Sequence, residues 1–200
     1  MSVRIGVLNV QGAVSEHVEH VRLAGAEPVL VKHPDDLQGL SGMVLPGGES
    51  TTIGKLMRKY GLLDPVRELA QKGLPVFGTC AGMILLASRI EGHDEPHLGV
   101  MDVTVNRNSF GRQRDSFEAD VAVSGLSDDQ PFPSVFIRAP HIVEAGPDVE
   151  VLATYDGKIV AARQGGLLAT AFHPELTPDT RLHRKFVELA EAYQMATARH

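Results

Sequence analysis

The chain has 200 residues, 43% of them apolar and 22% charged, which is typical of a globular protein with one well-buried core. Its 19 Lys and Arg against 25 Asp and Glu give a net charge of −6, so a nucleic-acid partner is not expected. The longest uncharged stretch, residues 73–88, contains Pro75, Gly78 and Gly82 and is too short to span a membrane. The single cysteine forbids an internal disulfide, and the N-terminus has no secretory-signal pattern. We therefore expect a cytoplasmic protein with a single domain over residues 1–200.

Strands and helices alternate through the first 90 residues. Short apolar runs predict strands over residues 3–10, 28–32, 43–45 and 75–79. A helix carrying Val14, Val18 and Val21 on one face follows the first strand. Further helices are predicted over residues 51–60, 64–71 and 81–90. This alternation indicates an α/β fold, a three-layer αβα sandwich whose mostly parallel central sheet is covered by helices on both faces.

The second half of the chain is richer in strands. Strand-like patterns occur at residues 100–106, 117–125, 134–140, 149–155, 158–164 and 167–173. A closing helix is predicted to begin at Thr177-Pro178-Asp179, where a good N-cap residue precedes proline at the first helical position. Leu182, Phe186 and Leu189 would form one face of that helix.

The only cysteine, Cys80, lies between glycines in the segment Gly78-Thr79-Cys80-Ala81-Gly82, directly after a predicted strand and before a predicted helix. This context is typical of a nucleophile elbow, a sharp strand-to-helix turn that exposes the nucleophile. The backbone N–H of Ala81 would then be placed to stabilise an oxyanion. The alternative is a small buried cysteine that only fills space in the core. The flanking glycines and the strand-to-helix junction favour the nucleophile.

A thiolate nucleophile needs a base, and nine histidines are candidates. His173 stands out because it ends an apolar run and Pro174-Glu175 follows, so an imidazole and a carboxylate lie two residues apart in an extended segment. A carboxylate in this position can fix the tautomer of the imidazole and stabilise its cation. His141, in the strand-rich region, stays open as a second candidate. His17 and His20 have a spacing that could suit a metal, but the valine face beside them favours an ordinary helix flank.

A second glycine-rich turn, residues 45–52, also joins a predicted strand to a helix. A simple capped turn is one interpretation, with Ser50 or Thr51 as the cap. A phosphate site is another, but no Gly-Lys-Ser/Thr follows and Glu49 would repel an anion. That carboxylate better suits the ammonium group of a ligand. Four arginines stand at strand ends or in loops, namely Arg107, Arg112, Arg114 and Arg138. Arg138 lies in an otherwise apolar segment and is the best candidate to point into a site.

Three motifs together resemble the class I glutamine amidotransferases, whose triad is Cys, His and Glu in this order. They are Gly-Thr-Cys-Ala-Gly at residues 78–82, Pro-Gly-Gly-Glu-Ser at 46–50 and Phe-His-Pro-Glu-Leu at 172–176. Four further segments, VLNVQGAV, RNSFGRQ, SFEAD and FIRAPHI, narrow the resemblance to the glutaminase subunits of pyridoxal 5′-phosphate synthases. The resemblance extends from residue 5 to about residue 193.

The resemblance implies a role for each matching residue. Cys80 would be the nucleophile, His173 the base and Glu175 its orienting partner. Glutamine would be held by Gly48, Glu49, Ser50, Arg107, Ile137 and Arg138. The oxyanion would be stabilised by backbone N–H groups of Ala81 and of the Gly47-Gly48 turn. No metal and no bound cofactor are implied.

The resemblance also implies the reaction, which is hydrolysis of L-glutamine to L-glutamate and ammonia. The ammonia would pass to a separate synthase subunit, the protein partner in a multi-subunit complex. That subunit would combine it with ribose 5-phosphate and glyceraldehyde 3-phosphate to make pyridoxal 5′-phosphate. Two alternatives are the glutaminase of another biosynthetic synthase and a noncatalytic regulatory protein that keeps the fold. The presence of both Cys80 and His173 disfavours the second.

Overall fold

The structure is a computed structural model that describes residues 2–93, 95–110 and 115–199. Its strands are β1 (Arg4–Leu8), β2 (Glu27–Val31), β3 (Gly42–Leu45), β4 (Val76–Thr79), β5 (Ala87–Ile90), β6 (Met101–Asn106), β7 (Ser116–Val121), β8 (Phe132–Ile137), β9 (His141–Ala145), β10 (Glu150–Tyr155), β11 (Lys158–Gln164) and β12 (Leu167–Thr170). Its α-helices are α1 (Val14–Leu23), α2 (Ser50–Lys59), α3 (Leu63–Gln71), α4 (Ala81–Leu86) and α5 (Arg181–Thr197). Short 3₁₀ turns occupy Pro34–Leu37 and Pro174–Leu176.

One large sheet organises the molecule. Its strand order is β2-β1-β3-β4-β12-β11-β9-β6-β5, and β10 pairs with β11. The five strands from β2 to β12 run parallel, as the alternation of strands and helices predicts. Strands β11, β9 and β6 continue the sheet with antiparallel pairings, whereas β7 and β8 form a separate ribbon. The predicted α/β fold, with a mostly parallel sheet and a strand-rich second half, is confirmed.

Helices cover both faces of the parallel part of the sheet, as β4 shows. Successive residues of a strand point to opposite faces. The ring of Phe77 packs on Phe186 of α5, with ring centroids 5.6 Å apart, whereas the next residue, Gly78, faces Gly82 of α4. Helix α1 contacts α5, and α2 contacts both α3 and α4. The two helix groups therefore lie on opposite sides of the sheet and bury its apolar residues in one continuous cluster.

The helix predicted over residues 81–90 is correct in its first six residues and wrong in its last four. It ends at Leu86, and the backbone becomes extended at Ala87 (φ −61°, ψ 138°) to form β5 beside β6. This stretch is almost wholly apolar, so its pattern cannot separate a buried helix from a buried strand. Strand β9 was not predicted either, because Pro140 and the polar residues around it obscure the alternation.

The last helix begins later than predicted. Its first residue is Arg181 and its N-cap is Thr180, not Thr177. The Thr177 hydroxyl donates instead to the carbonyl of Pro174, which closes the 3₁₀ turn there. Leu182 and Phe186 are buried as predicted, and Leu189 is half-buried. No helix in the described part of the chain combines the length and apolar content that crossing a bilayer requires.

Candidate active site

Cys80 lies on the strained turn that the sequence predicts. It follows β4 and precedes α4, with φ 52° and ψ −103°, a left-handed conformation that a residue with a side chain seldom adopts. Its N–H donates to the carbonyl of Thr170 on the neighbouring strand at 2.8 Å. The turn is possible because Gly82 meets β3 directly, and a Cβ atom there would lie 2.2 Å from the carbonyl oxygen of Leu45. Tight backbone packing on both sides therefore fixes the position of the thiol.

His173 and Glu175 reach the same place from the adjacent strand. Strand β12 pairs with β4 in parallel, Thr170 opposite Thr79, and the chain beyond both strands leaves the same edge of the sheet. Nδ1 of His173 lies 2.5 Å from Oε1 of Glu175. This contact leaves Nε2 of the imidazole for the thiol of Cys80. The two side chains face each other as predicted, but Pro174–Leu176 is a 3₁₀ turn and not the extended segment that the sequence analysis expects.

The charges of this pair follow from its contacts. Burial lowers the pKa of His173, but hydrogen bonds with Cys80 and Glu175 outweigh it and raise the pKa to about 10. Burial raises the pKa of Glu175, yet His17 and the hydrogen bond with His173 leave it below its usual value. An anionic Glu175 beside a cationic His173 is therefore the favoured state near neutrality.

A cavity of about 900 Å³ opens in front of the thiol. Its lining includes Gly47, Gly48, Glu49, Ser50, Cys80, Ala81, Arg107, Ile137, Arg138 and His173. These are all the predicted site residues except Glu175, whose side chain lies inaccessible to solvent on the far side of His173. As the first residue of α4, Ala81 has a backbone N–H with no acceptor inside its helix.

The Gly47-Gly48 turn lies against both the imidazole and the N-terminal segment. A Cβ atom on Gly47 would lie 2.2 Å from Cε1 of His173, so only glycine fits there. The carbonyl of Gly47 accepts from the N–H of Ala13 at 3.0 Å, and Oε1 of Gln11 accepts from the N–H of Glu49 at 3.0 Å. The N–H of Gly48 must point away from Ala13, because the two polar groups of a peptide unit are antiparallel.

Glu49 is the N-cap of α2, a role that we had assigned to Ser50 or Thr51. Its carboxylate accepts from the backbone N–H groups of Thr51 (3.1 Å) and Thr52 (2.7 Å), and from the Thr52 hydroxyl. The hydroxyl contact is the strongest of the influences that lower the pKa of Glu49 to about 2. The same carboxylate pairs with Arg107 at 3.2 Å. Glu49 is therefore a fixed anion at the cavity wall.

The end of β8 supplies another wall of the cavity. The carbonyl of Ile137 lies 3.7 Å from Sγ of Cys80, and Arg138 has φ 45° with its N–H bonded to the carbonyl of Asp115 at 2.6 Å. Arg138 is one of the residues that line the cavity, as its apolar context suggests. Arg112 and Arg114 lie outside the described residues.

Sequence analysis missed some polar residues of the site. Gln11, His93, Glu91 and Asn106 also line the cavity, and Nε2 of His93 contacts Arg107 at 3.1 Å. They lie in loops or at a strand end, where no residue spacing marks them. The open candidate His141 binds Ser109 and does not line the cavity.

The interpretation of α1 needs correction. His17, His20 and Val21 form its buried face, while Val14 and Val18 are only half-buried. His17 is fully buried, and its Nε2 lies 3.4 Å from Oε2 of Glu175. Across the described ranges, no three His, Cys, Asp or Glu side chains are grouped in a way that could hold a metal ion.

The fold, with a thiol, an imidazole and a carboxylate brought together at the ends of β4 and β12, is that of the glutamine amidotransferases. More particularly, the sequence model of the SNO glutamine amidotransferase family matches residues 7–192, and the chain belongs to that family.

Individual relatives are similar over nearly their whole length. The pyridoxal 5′-phosphate synthase subunit PdxT of Geobacillus kaustophilus (strain HTA426) is 59% identical over 195 residues, 98% of this chain and 98% of that protein. The subunit of the same name from Geobacillus thermodenitrificans (strain NG80-2) is 60% identical over 188 residues, 94% of this chain and 95% of that protein. A crystal structure of a glutamine amidotransferase matches with a TM-score of 0.88 at 50% identity, covering 94% of this chain and 98% of its own.

Proposed function

We propose that this chain is the glutaminase subunit of a pyridoxal 5′-phosphate synthase, acting as one amidotransferase domain in the cytoplasm. It hydrolyses L-glutamine to L-glutamate and ammonia, and the synthase subunit receives the ammonia. The observation that carries the proposal is Cys80 on its strained turn, beside a His173–Glu175 pair at a cavity large enough for an amino acid. The relatives named as synthase subunits support the choice of partner.

The first step is a proton transfer from the Cys80 thiol to Nε2 of His173. The raised pKa of His173 favours the resulting thiolate–imidazolium pair. Glu175 holds Nδ1 of the imidazole, which fixes the ring orientation and stabilises its cation.

The thiolate then attacks the side-chain amide carbon of glutamine. Negative charge develops on the amide oxygen, where the N–H groups of Ala81 and of the Gly47-Gly48 turn would stabilise it. His173 returns its proton to the leaving nitrogen, so ammonia departs and a glutamyl thioester remains on Cys80. Water activated by His173 cleaves the thioester, which releases glutamate and restores the thiol.

Charges at the cavity wall suit the amino-acid end of the substrate. The fixed carboxylate of Glu49 matches an ammonium group, while Arg138 and Arg107 match a carboxylate. Gly48, Ser50 and the backbone of Ile137 would complete the contacts. Free glutamine offers both charges, whereas glutamine within a peptide offers neither.

A glutaminase assay tests the function directly. Wild-type protein mixed with a synthase subunit from a relative should release glutamate, and pyridoxal 5′-phosphate should form when both sugar phosphates are added. Cys80→Ala should lose nearly all hydrolysis while its circular dichroism spectrum stays unchanged. A glutamine-like electrophile should label the wild type once.

Two outcomes would contradict the proposal. An unchanged rate in Cys80→Ala would exclude the thiol mechanism. Glutamine hydrolysis without incorporation of ammonia into pyridoxal 5′-phosphate would assign the chain to another synthase.

A further inference from the structure

A row of buried histidines lies behind the triad. Nε2 of His17 faces Oε2 of Glu175 at 3.4 Å and the Thr79 hydroxyl at 3.0 Å. Nδ1 of His17 lies 2.9 Å from Nε2 of His183 on α5. The side chains of His17 and Glu175 are both inaccessible to solvent. Oε1 of Glu175 is held by His173, whereas Oε2 makes no hydrogen bond within the described residues and has Nε2 of His17 facing it at 3.4 Å.

The contacts select one tautomer of His17. Nε2 of His17 is hydrogen-bonded with the Thr79 hydroxyl, which can donate or accept, so the nearby carboxylate decides between the tautomers. A lone pair on Nε2 would repel Oε2, whereas an N–H that donates to the hydroxyl is also attracted to Oε2. With the proton on Nε2, Nδ1 must accept, and Nε2 of His183 donates to it. Nδ1 of His183, which has no partner in the described part of the chain, then carries a lone pair. The opposite tautomers would bury an unpaired N–H at that atom, which folded proteins rarely tolerate.

His17 acts on Glu175 as a dipole, not as a charge. Burial lowers the pKa of His17 from 6.5 to about 4, so the ring is neutral at physiological pH. A neutral N–H donor aimed at a desolvated carboxylate stabilises the anion in one orientation. The carboxylate then presents its other oxygen to His173.

We propose that His17 is a positioning residue of the glutaminase reaction, whose Nε2–H, fixed by His183, holds Glu175 in the rotamer that orients His173. The inference rests on the proposed glutaminase function. A purely structural role would require only a side chain that fills the same space, whereas this role requires an N–H at the position of Nε2.

Two amide variants distinguish the positioning role from a purely structural one. His17→Gln can place an amide N–H near the position of Nε2, whereas the shorter His17→Asn places its amide near Nδ1 and cannot reach Oε2. Both should fold, since each replaces a buried polar ring with a smaller amide. With the full chain in complex with its synthase subunit, His17→Asn should lower kcat about threefold to tenfold, below the range for a direct hydrogen bond to a charged group. KM for glutamine should change little, and His17→Gln should restore most of the rate.

A matched control and a double-mutant cycle complete the test. Val21→Ala truncates another buried residue of α1, whose apolar side chain can form no hydrogen bond with Glu175, so its kcat should equal that of the wild type. In a Glu175→Gln background, His17→Asn should lower kcat only slightly further, because no carboxylate remains for His17 to position.

The outcomes are distinguishable. Equal kcat in His17→Asn and His17→Gln, or the same fold loss with and without Glu175→Gln, would overturn the positioning role. No glutamine hydrolysis by the wild-type complex would instead contradict the proposed function itself.

Discussion

Glu49 combines a structural and a charged role in one side chain. It caps α2 through two backbone N–H groups and the Thr52 hydroxyl, and it pairs with Arg107. These contacts keep the carboxylate ionised and in place without substrate. The helix cap therefore also prepares the site for an ammonium group.

Substrate specificity should depend on the charge of Glu49 and not on the cap. Glu49→Gln should raise KM for glutamine about tenfold, the effect of losing a charge-assisted hydrogen bond, and Arg138→Ala should act similarly. Thr52→Ala removes a cap contact but keeps the charge, so it should lower Tm without changing KM. Steady-state kinetics on glutamine and on N-acetylglutamine check this. Equal hydrolysis of both substrates by the wild type would show that Glu49 does not recognise the ammonium group.

Local motifs identify some of these residues and cannot identify others. Cys80 is predictable because its flanking glycines mark the strand-to-helix turn, and His173 with Glu175 because two residues separate them. His17 is not predictable in this way, since its contact with Glu175 exists only after α1 packs against the segment Pro174–Leu176. The glutamine contacts proposed for Arg107 and Ile137 rest on the family resemblance, because nothing in the local pattern distinguishes these residues.

Among the helices, α4 is short and its function depends on how closely it approaches the sheet. Its six residues begin directly after Cys80 and end where β5 begins. Gly82 allows its backbone to touch the carbonyl of Leu45 on β3. A side chain at this point would force helix and strand apart and move the thiol with them.

Gly82→Ala should therefore lower both stability and activity. We expect a loss of about 1–3 kcal/mol in the free energy of unfolding, together with a large fall in kcat, because the added Cβ meets backbone and not a flexible side chain. Gly165→Ala is the comparison: φ there is +58° but nothing lies within 4 Å, so stability falls and kcat does not. Urea denaturation and glutaminase assays measure the two effects. Full activity in Gly82→Ala would show that the close approach is dispensable.

Helices and strands were predicted correctly where the sequence pattern is typical of only one of the two. The first four strands alternate with amphipathic helices, and their parallel pairing follows from that order. Residues 81–90 form a uniformly apolar stretch, in which pairing with β6 decides between helix and strand. The start of α5 depends on competing local hydrogen bonds of Thr177 and Asp179, which residue preference alone does not rank.

The buried histidines make the stability of the whole molecule sensitive to acid. His17, with its pKa lowered to about 4, and His183, with its pKa well below 6.5, stay neutral when folded but take up protons when unfolded. The unfolded state then binds more protons below pH 6.5, so stability falls as pH falls. The raised pKa of His173 acts in the opposite direction, adding about 1 kcal/mol between pH 7 and 5.

From pH 7 to 5, His17 alone should cost about 2 kcal/mol in the free energy of unfolding, and His183 should add to this loss. His183→Gln removes one of these groups, so its stability should fall less over the same interval. Urea denaturation at the two pH values measures the difference. An identical pH dependence in wild type and His183→Gln would mean that His183 is not buried in its neutral form.

Docking of the synthase subunit should increase glutamine hydrolysis. The Gly47-Gly48 turn is held by the N–H of Ala13 and, through Glu49, by Gln11. A partner that favours one conformation of this turn by about 1.4 to 3 kcal/mol would raise the rate tenfold to a hundredfold.

Gln11→Ala removes the acceptor for Glu49 N–H and should reduce this activation, whereas Gln71→Ala, an exposed residue of α3, should not. The rate of glutamate release is measured for each variant alone and with a saturating concentration of the synthase subunit, and the ratio of the two rates gives the activation. Equal rates with and without the partner would refute activation.

The two halves of the triad stand on neighbouring strands, but nearly half of the chain lies between Cys80 and His173. Strand β12 follows all the other described strands in the chain, and it inserts between β4 and β11. A nascent chain consequently carries the Cys80 thiol long before it has the imidazole that we propose as its base. We expect glutamine hydrolysis only once residues 173–175 have been made and β12 has joined the sheet, so a product that stalls earlier should be inert towards glutamine.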